Sequence, residues 1–263
     1  MPRTPAKELL TIGKRIRLNN HPTHFSDKFI DQISDEINGD AFFNYFQPIW
    51  DEVCKQVSFK TLLDVGCGNG LFSAALKPKV GCKLIGIDGS QYALDHAKQA
   101  GFDETCLVSN LNEDRLPLTD ASVDMVVCKD VLEHLLHPEF IVSEIRRILQ
   151  DNGHTLIHVP NHFSLRGRIF FLFTNNIDTF DFFEKSDRWN YPHIRFFSFP
   201  SLVRLLEKSG FEVVDHFSEY FFALTGFCHH SFLPFRKSII RKLTHRWPDA
   251  CAEGFTILAR KTQ

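Results

Sequence analysis

Residues 62–70, LLDVGCGNG, constrain this chain more than any other stretch. An apolar run passes through Asp64 into three glycines at alternate positions, Gly66, Gly68 and Gly70, and a helical pattern begins at Leu71. Glycine is needed where a strand turns sharply into a helix and where backbone must lie against a ligand, because a Cβ would collide there. The spacing is GxGxG. The dinucleotide fingerprint, GxGxxG, would put its last glycine where Leu71 stands, which argues against a nicotinamide-dependent dehydrogenase. A pyrophosphate also calls for a helix N-terminus aimed at it. Asp64 instead places a carboxylate beside the loop, a poor neighbour for phosphate and a good one for a cation. A plain tight turn is the alternative if nothing else in the chain agrees.

The rest of the chain does agree. Short β-rich runs at 61–65, 83–88, 104–109, 123–128 and 154–159 alternate with the helical patterns LFSAALK, QYALDHAKQAG and PEFIVSEIRRILQ. Such alternation predicts an α/β, Rossmann-like doubly wound sheet over roughly residues 60–160. A helix at 199–210, a strand in FEVVDHFSEYF and a last strand in GFTILARK are expected beyond it. Residues 1–57 read as a helical N-terminal cap, from HFSDKFIDQISDEI and DAFFNYFQPIWDEVCKQV, broken at Asn38-Gly39. Residues 58–263 then form the main domain. Within it, residues 160–200 have no sustained period and read as an irregular, Phe-rich insert over the site.

The second strand ends in Asp88, where an acidic side chain can accept both hydroxyls of a ribose, although it could also cap the helix that follows. Ser109, Asn110 and Leu111 end the third strand, where polar edges can read an adenine. A ligand with adenine, ribose and a positive centre but no phosphate is S-adenosylmethionine (SAM). At this point LLDVGCGNG, LIGIDGS, LPLTDASVDMVVCKDVLEHL and ILQDNGHTLIHVPN resemble, in order and spacing, the motifs of class I SAM-dependent methyltransferases. That resemblance implies a seven-stranded sheet with an antiparallel last strand. It implies that Asp64, Gly66, Cys67, Gly68 and Gly70 line the methionine part of the cofactor, with Asp88 and Gly89 at the ribose. Asn110 and Leu111 would meet the adenine, Lys129 would lie under the sulfonium, and S-adenosyl-L-homocysteine would be the product. Asn110 stands where the family often has Asp.

Methyl transfer is an in-line displacement, so the chain must align an acceptor and exclude water, adding a base where the acceptor arrives protonated. Candidate bases belong at the C-terminal ends of the strands. His134, His158, His162 and His193 qualify. His193, in the Phe-rich insert, is the expected base or acceptor contact, with Tyr191 and Arg195 as substrate neighbours; His134 is the second candidate. Asp130, Glu133 and His134 are similar to the acidic-acidic-His set that holds a divalent metal in ubiquinone-type O-methyltransferases, and on a helix they would share one face. LEHL is also common in class I methyltransferases without metal, where the His packs under the cofactor loop, and that reading, with no metal, is the expectation here. His154 and His158 sit on one strand face and read as packing or solvent histidines.

The segments VPNHFSLRGR and DRWNYPHIRFFSFP are loosely similar to methionine biosynthesis protein W. That likeness keeps open a protein that binds SAM as a partner or regulator without turnover. Composition limits the acceptor. With 30 Lys and Arg against 32 Asp and Glu, the formal charge of -2 gives no field for nucleic acid. Seven scattered cysteines, with no CxxC pair, read as reduced thiols. No signal-peptide core or membrane span is evident, so a cytoplasmic protein is expected. Of 27 Phe, ten lie in 160–200 and seven in 201–235, pointing to a small, apolar acceptor bound there. The basic stretch 235–247 is expected to be helical, with weak membrane-surface contact as its other reading. The sequence leaves the oligomeric state open.

Overall fold

Alternation along the strands sets the architecture. In β1 (Thr61–Val65), Leu63 and Val65 enter one apolar core and Leu62 the other, so both faces of this strand are buried. Strands covered on both faces need helices on each side, the arrangement that parallel sheets require. The computed structural model describes residues 39–175, 177, 193–218 and 234–263. Within them β2 (Lys83–Asp88), β3 (Glu104–Leu107), β4 (Val123–Lys129), β5 (Leu149–Pro160), β6 (Phe211–His216) and β7 (Gly254–Lys261) join β1 in one sheet. The strand order is β3-β2-β1-β4-β5-β7-β6. The first five strands pair in parallel, and β7 runs antiparallel between β5 and β6. This is the expected Rossmann-like sheet with its reversed last strand.

The order reverses between β1 and β4, so the chain leaves these neighbours in opposite directions and opens a crevice at their C-terminal ends. Helix α1 (Gly39–Gln56) buries Ile49, Trp50 and Val53 against one sheet face. Trp50 Nε1 donates to the Phe72 carbonyl at 3.0 Å, which ties α1 to the segment after the glycine loop. The helix expected over 71–77 is instead two single turns, α2 (Leu71–Ala74) and α3 (Lys77–Val80). Pro78 explains the break: it has no N–H to continue a helix, and it is favoured in a first turn. α4 (Gln91–Gln99) starts at Ser90, whose Oγ accepts from Ala93 N, and α5 (Pro138–Ile148) covers the opposite face.

The 160–200 segment is not irregular throughout. α6 (Leu165–Thr174) forms within it, capped by Ser164 Oγ accepting the Gly167 N–H at 3.1 Å. Its apolar residues run all round the helix, so no helical stripe marked it in the sequence. α7 (Phe199–Lys208) begins with a reciprocal Ser198–Ser201 capping box. The strand expected from Phe211 stops at His216. α8 (Pro234–Arg246) carries the basic stretch, and α9 (Pro248–Cys251) precedes β7. Residues 1–38 of the expected N-terminal cap and Tyr191 lie outside the described residues. No helix among the described residues is long and apolar enough to cross a membrane. The described cysteines are free thiols.

Candidate active site

The glycine loop is built by left-handed backbone at alternate residues. Gly66, Gly68 and Gly70 have φ of 72°, 53° and 78°. A Cβ on Gly66 would lie 2.4 Å from Val131 Cγ2, so only glycine lets the loop pass under the segment after β4. At Gly68 a Cβ would meet nothing within 4 Å, so the loop faces open space there. Two N–H groups, of Gly66 and Cys67, donate to the Ile87 carbonyl at 2.7 and 3.0 Å and fasten the loop to the end of β2. Cys67 is a buried filler, its thiol pushed well above its usual range by burial.

Asp88 joins this assembly. Its Oδ2 accepts from Gly68 N and its Oδ1 from Ser90 N, both at 2.9 Å. The helix cap itself is Ser90, so Asp88 serves the loop rather than α4. Gly89 is the link between them. Asn110 forms a turn of its own: Oδ1 accepts from Asn112 N at 3.0 Å and from Asn112 Nδ2 at 3.2 Å, with Leu111 half-buried beside it.

Beneath the loop lies Asp64, 3% exposed and accepting from Ser73 Oγ at 2.6 Å. Burial pushes its carboxyl up to about 7, against the opposing effects of the Ser73 hydrogen bond and the Lys129 charge. A buried carboxylate in that state gains from a cation placed near it. Lys129 ends β4 with its ammonium 5.9 Å from the Phe72 ring centroid and in contact with Asp130. Strand alternation brings Lys129, His158 and Thr256 to the α1 side, where they line a narrow crevice with Ile49, Phe72 and Leu156.

Asp130, Glu133 and His134 do not share one helical face, the arrangement the alternative metal reading needed. The chain enters a 3-10 turn only at Leu132–His134, and Asp130 lies before it with φ 55°. Its N–H donates to the His158 carbonyl at 3.0 Å, and its carboxylate turns to Lys129 and to His158 Nε2, the latter at 3.3 Å. Burial would raise the Asp130 carboxyl, but Lys129 and His158 hold it down to about 2. His158 is therefore more than packing. Its Nδ1 lies 2.8 Å from Thr256 Oγ1, making a carboxylate–imidazole–hydroxyl chain across β4, β5 and β7. Burial lowers its pKa to about 4. Period-two alternation carried the signal for this grouping, since residues 129, 158 and 256 face one way on neighbouring strands.

Glu133 and His134 meet His193 instead. The Glu133 carbonyl accepts from Ile194 N and Arg195 N at 2.9 and 3.0 Å, and the Arg195 guanidinium donates to the Leu136 carbonyl. Arg195 thus fastens the insert to the turn after β4. The His134 and His193 rings stand 4.8 Å apart, edge to face, and His162 Nε2 lies 2.9 Å from His193 Nδ1. Burial, then the neighbouring His134 and His162, lower His193 to about 3. Burial likewise lowers His162 to about 4, so His162 and His193 form a neutral imidazole pair on the insert side of the turn. The sequence offered His134, His162 and His193 as candidate bases and Glu133 only beside Asp130 and His134; it did not show that Glu133, 1% exposed, meets His193.

Comparison with known proteins agrees with this fold. Residues 63–157 match the family model described as a methyltransferase domain. A Mycolicibacterium smegmatis protein named as an S-adenosylmethionine-dependent methyltransferase is 31% identical over 174 residues, 66% of this chain and 60% of that one. An Encephalitozoon cuniculi protein named as a methyltransferase is 31% identical over 171 residues, 60% of this chain and 73% of that one. The chain spans 43 to 60% of the length of the first three curated relatives it matches. In fold, a SAM-dependent methyltransferase from Thermotoga maritima superposes with a TM-score of 0.58 at 22% identity, covering 92% of this chain and all of that one.

Proposed function

Because the chain belongs to the class I SAM-dependent methyltransferase family, with SAM as cofactor, we propose that it methylates a small, apolar acceptor bound between the glycine loop and the Phe-rich insert. The cofactor fits the residues present: the loop faces open space at Gly68, Asp64 is a buried carboxylate suited to a cationic centre, and the Asp88 carboxylate borders the loop at the end of β2. Bound there, SAM supplies an electrophilic methyl group and leaves as S-adenosyl-L-homocysteine.

The chain's own residues do the rest. Gly66 to Gly70 and Asp64 hold the methionine end, Asp88 with Gly89 the ribose, and Asn110 with Leu111 the adenine. Lys129, neutralised by Asp130, leaves the site without a net positive charge under the sulfonium. His134 and His193 form the acceptor end and handle its proton as the new bond to carbon forms. Arg195 holds the insert over them, and Tyr191 would complete the acceptor pocket. Phe163, Leu172, Phe173 and Phe196, all well exposed, supply an apolar rim on the same insert.

One observation carries this reading: the Glu133 carbonyl takes both N–H groups of Ile194 and Arg195, which pins the insert histidine beside the turn that follows β4. The test has two stages. Calorimetric titration should show SAM and S-adenosylhomocysteine binding and no NAD binding. Purified protein given methyl-deuterated SAM and a small-molecule extract should then label an extractable apolar metabolite. Binding of NAD alone would overturn the cofactor reading, and SAM binding with no labelled product would favour a SAM-binding regulator.

A further inference from the structure

We propose that Asp130 and His158 form a charge selector that makes the site prefer the cationic cofactor to its neutral product, with Asp130 cancelling the Lys129 ammonium and His158 positioning Asp130. The inference rests on the reading above that Lys129 lies under the sulfonium. SAM and S-adenosylhomocysteine differ there by a methyl group and one positive charge. A like charge at that point therefore repels SAM alone, and an acidic group held beside it removes the repulsion. Lys129 ends β4, and Asp130 follows it directly with its carboxylate in contact with the ammonium. Against the effect of burial, Lys129 and His158 hold the Asp130 carboxyl down to about 2, which keeps it charged at neutral pH.

Strand register builds the selector. Lys129 pairs with His158 across β4 and β5, and His158 pairs with Thr256 across β5 and β7, so the three side chains stand in one row along the crevice. Asp130 leaves the strand at φ 55° and is bent back onto that row. Two contacts with a single residue hold it there: its N–H donates to the His158 carbonyl at 3.0 Å, and its Oδ1 lies 3.3 Å from His158 Nε2. Burial lowers His158 to about 4, so the ring is neutral and carries one N–H. A carboxylate only accepts, which assigns that proton to Nε2 and leaves Nδ1 to accept from the Thr256 hydroxyl 2.8 Å away. Gly254 leaves the space for the ring, since a Cβ there would lie 2.4 Å from His158 Cε1. Thr256 thus fixes the imidazole, the imidazole fixes the carboxylate, and the carboxylate sets the charge that the ligand meets.

The test reads binding, not activity. SAM and S-adenosylhomocysteine are each titrated calorimetrically into the full chain, and the ratio of their dissociation constants is followed through the variants. Asp130→Asn should weaken SAM about tenfold or more and leave S-adenosylhomocysteine within about twofold, because only SAM carries the charge. Adding Lys129→Met restores the parent's net charge and should return the ratio to within about threefold of the parent value. His158→Ala should move the ratio in the same direction as Asp130→Asn by about threefold or more, and His158→Gln, which keeps a donor toward Asp130, should recover it. Thermal melts establish that each variant folds; if His158→Ala does not, Asp130→Asn and its double variant decide. Equal losses of both ligands in Asp130→Asn, as expected of a chain that merely ties the strands together, or a ratio that the double variant fails to restore, would overturn the selector alone. A parent that binds neither ligand would overturn the cofactor reading and the selector with it.

Discussion

Asp88 Oδ2 accepts the Gly68 N–H at 2.9 Å, so the carboxylate at the end of β2 holds the open side of the glycine loop in place. The same group binds Ser90 N through Oδ1, linking loop, strand and helix at one point. A charge-assisted hydrogen bond contributes about 1.5–3 kcal/mol. Asp88→Ala should therefore weaken SAM binding at least tenfold, since it removes both the proposed ribose partner and the loop tether. Calorimetric titration of the variant measures this, and an unchanged dissociation constant would contradict the assignment of Asp88.

Asp64 predicts a pH effect of definite sign. Its folded pKa, about 7, lies above the ordinary 3.8, because burial outweighs Ser73 and Lys129. The folded state therefore binds more protons than the unfolded state between about pH 4 and 7, and this group's contribution to stability declines as pH rises through that window. Asp64→Asn keeps an oxygen for Ser73 and removes the ionisation. Its melting temperature relative to the parent should rise from pH 5 to pH 8. A cationic ligand reverses the preference, so SAM affinity of the parent should increase toward pH 7 and level off above it. A pH-independent affinity would show that Asp64 does not face the positive end of the ligand.

How much of this was legible in the sequence follows from which forces are local. The loop and Asp88 were legible because left-handed glycines and a strand-ending carboxylate are written in adjacent residues. The sheet was legible because strands buried on both faces, such as β1, β4 and β7, read as short apolar runs set between helical patterns. Asp130 was not. A helix through 130–134 is the local preference, but the Asp130 N–H is claimed by the His158 carbonyl and its side chain by Lys129 and His158. Those partners come from other strands, and they impose a left-handed residue where sequence alone suggested one helical face. Glu133 then turns inward beside His193, sixty residues away, through backbone bonds that no side-chain pattern announces. The apolar content of α6 hid that helix in the same way, since a stripe is visible only when the other face is polar.

Gly254 leaves room for His158. A Cβ at that position would lie 2.4 Å from His158 Cε1 and 2.9 Å from its Nε2. Gly254 sits opposite Pro160 at the start of β7, a strand that lies between β5 and β6 in the sheet. Gly254→Ala should cost about 1–3 kcal/mol, the usual range for overpacking, and displace the imidazole from Asp130. Adding His158→Ala should recover most of that loss, because the clash is with the ring. Denaturant unfolding of the two single variants and the double variant measures the coupling. Additive losses would show that the ring is not what Gly254 accommodates.

His216 should mark the acid limit of stability on the other side of the fold. Its ring centroid lies 4.0 Å from that of His245, the planes tilted by 50°, and edge-on to Phe199 at 4.8 Å, with Ser218 Oγ 3.2 Å from Nδ1. Burial, then the proximity of His245, lower its pKa from 6.5 to about 4; Arg241 acts in the same direction and Asp215 opposes. A histidine with a depressed folded pKa contributes stability that is fully present above about pH 6.5 and is lost as pH falls toward 4, because the unfolded chain takes up the proton first. Melting temperature should accordingly drop between pH 6.5 and 4, and His216→Gln should make that drop shallower while changing little at pH 8. Proton NMR of the imidazole Cε1–H gives the direct reading, with a midpoint near 4 expected. A midpoint near 6.5 would mean that the β6–α8 contact does not exclude the charged ring.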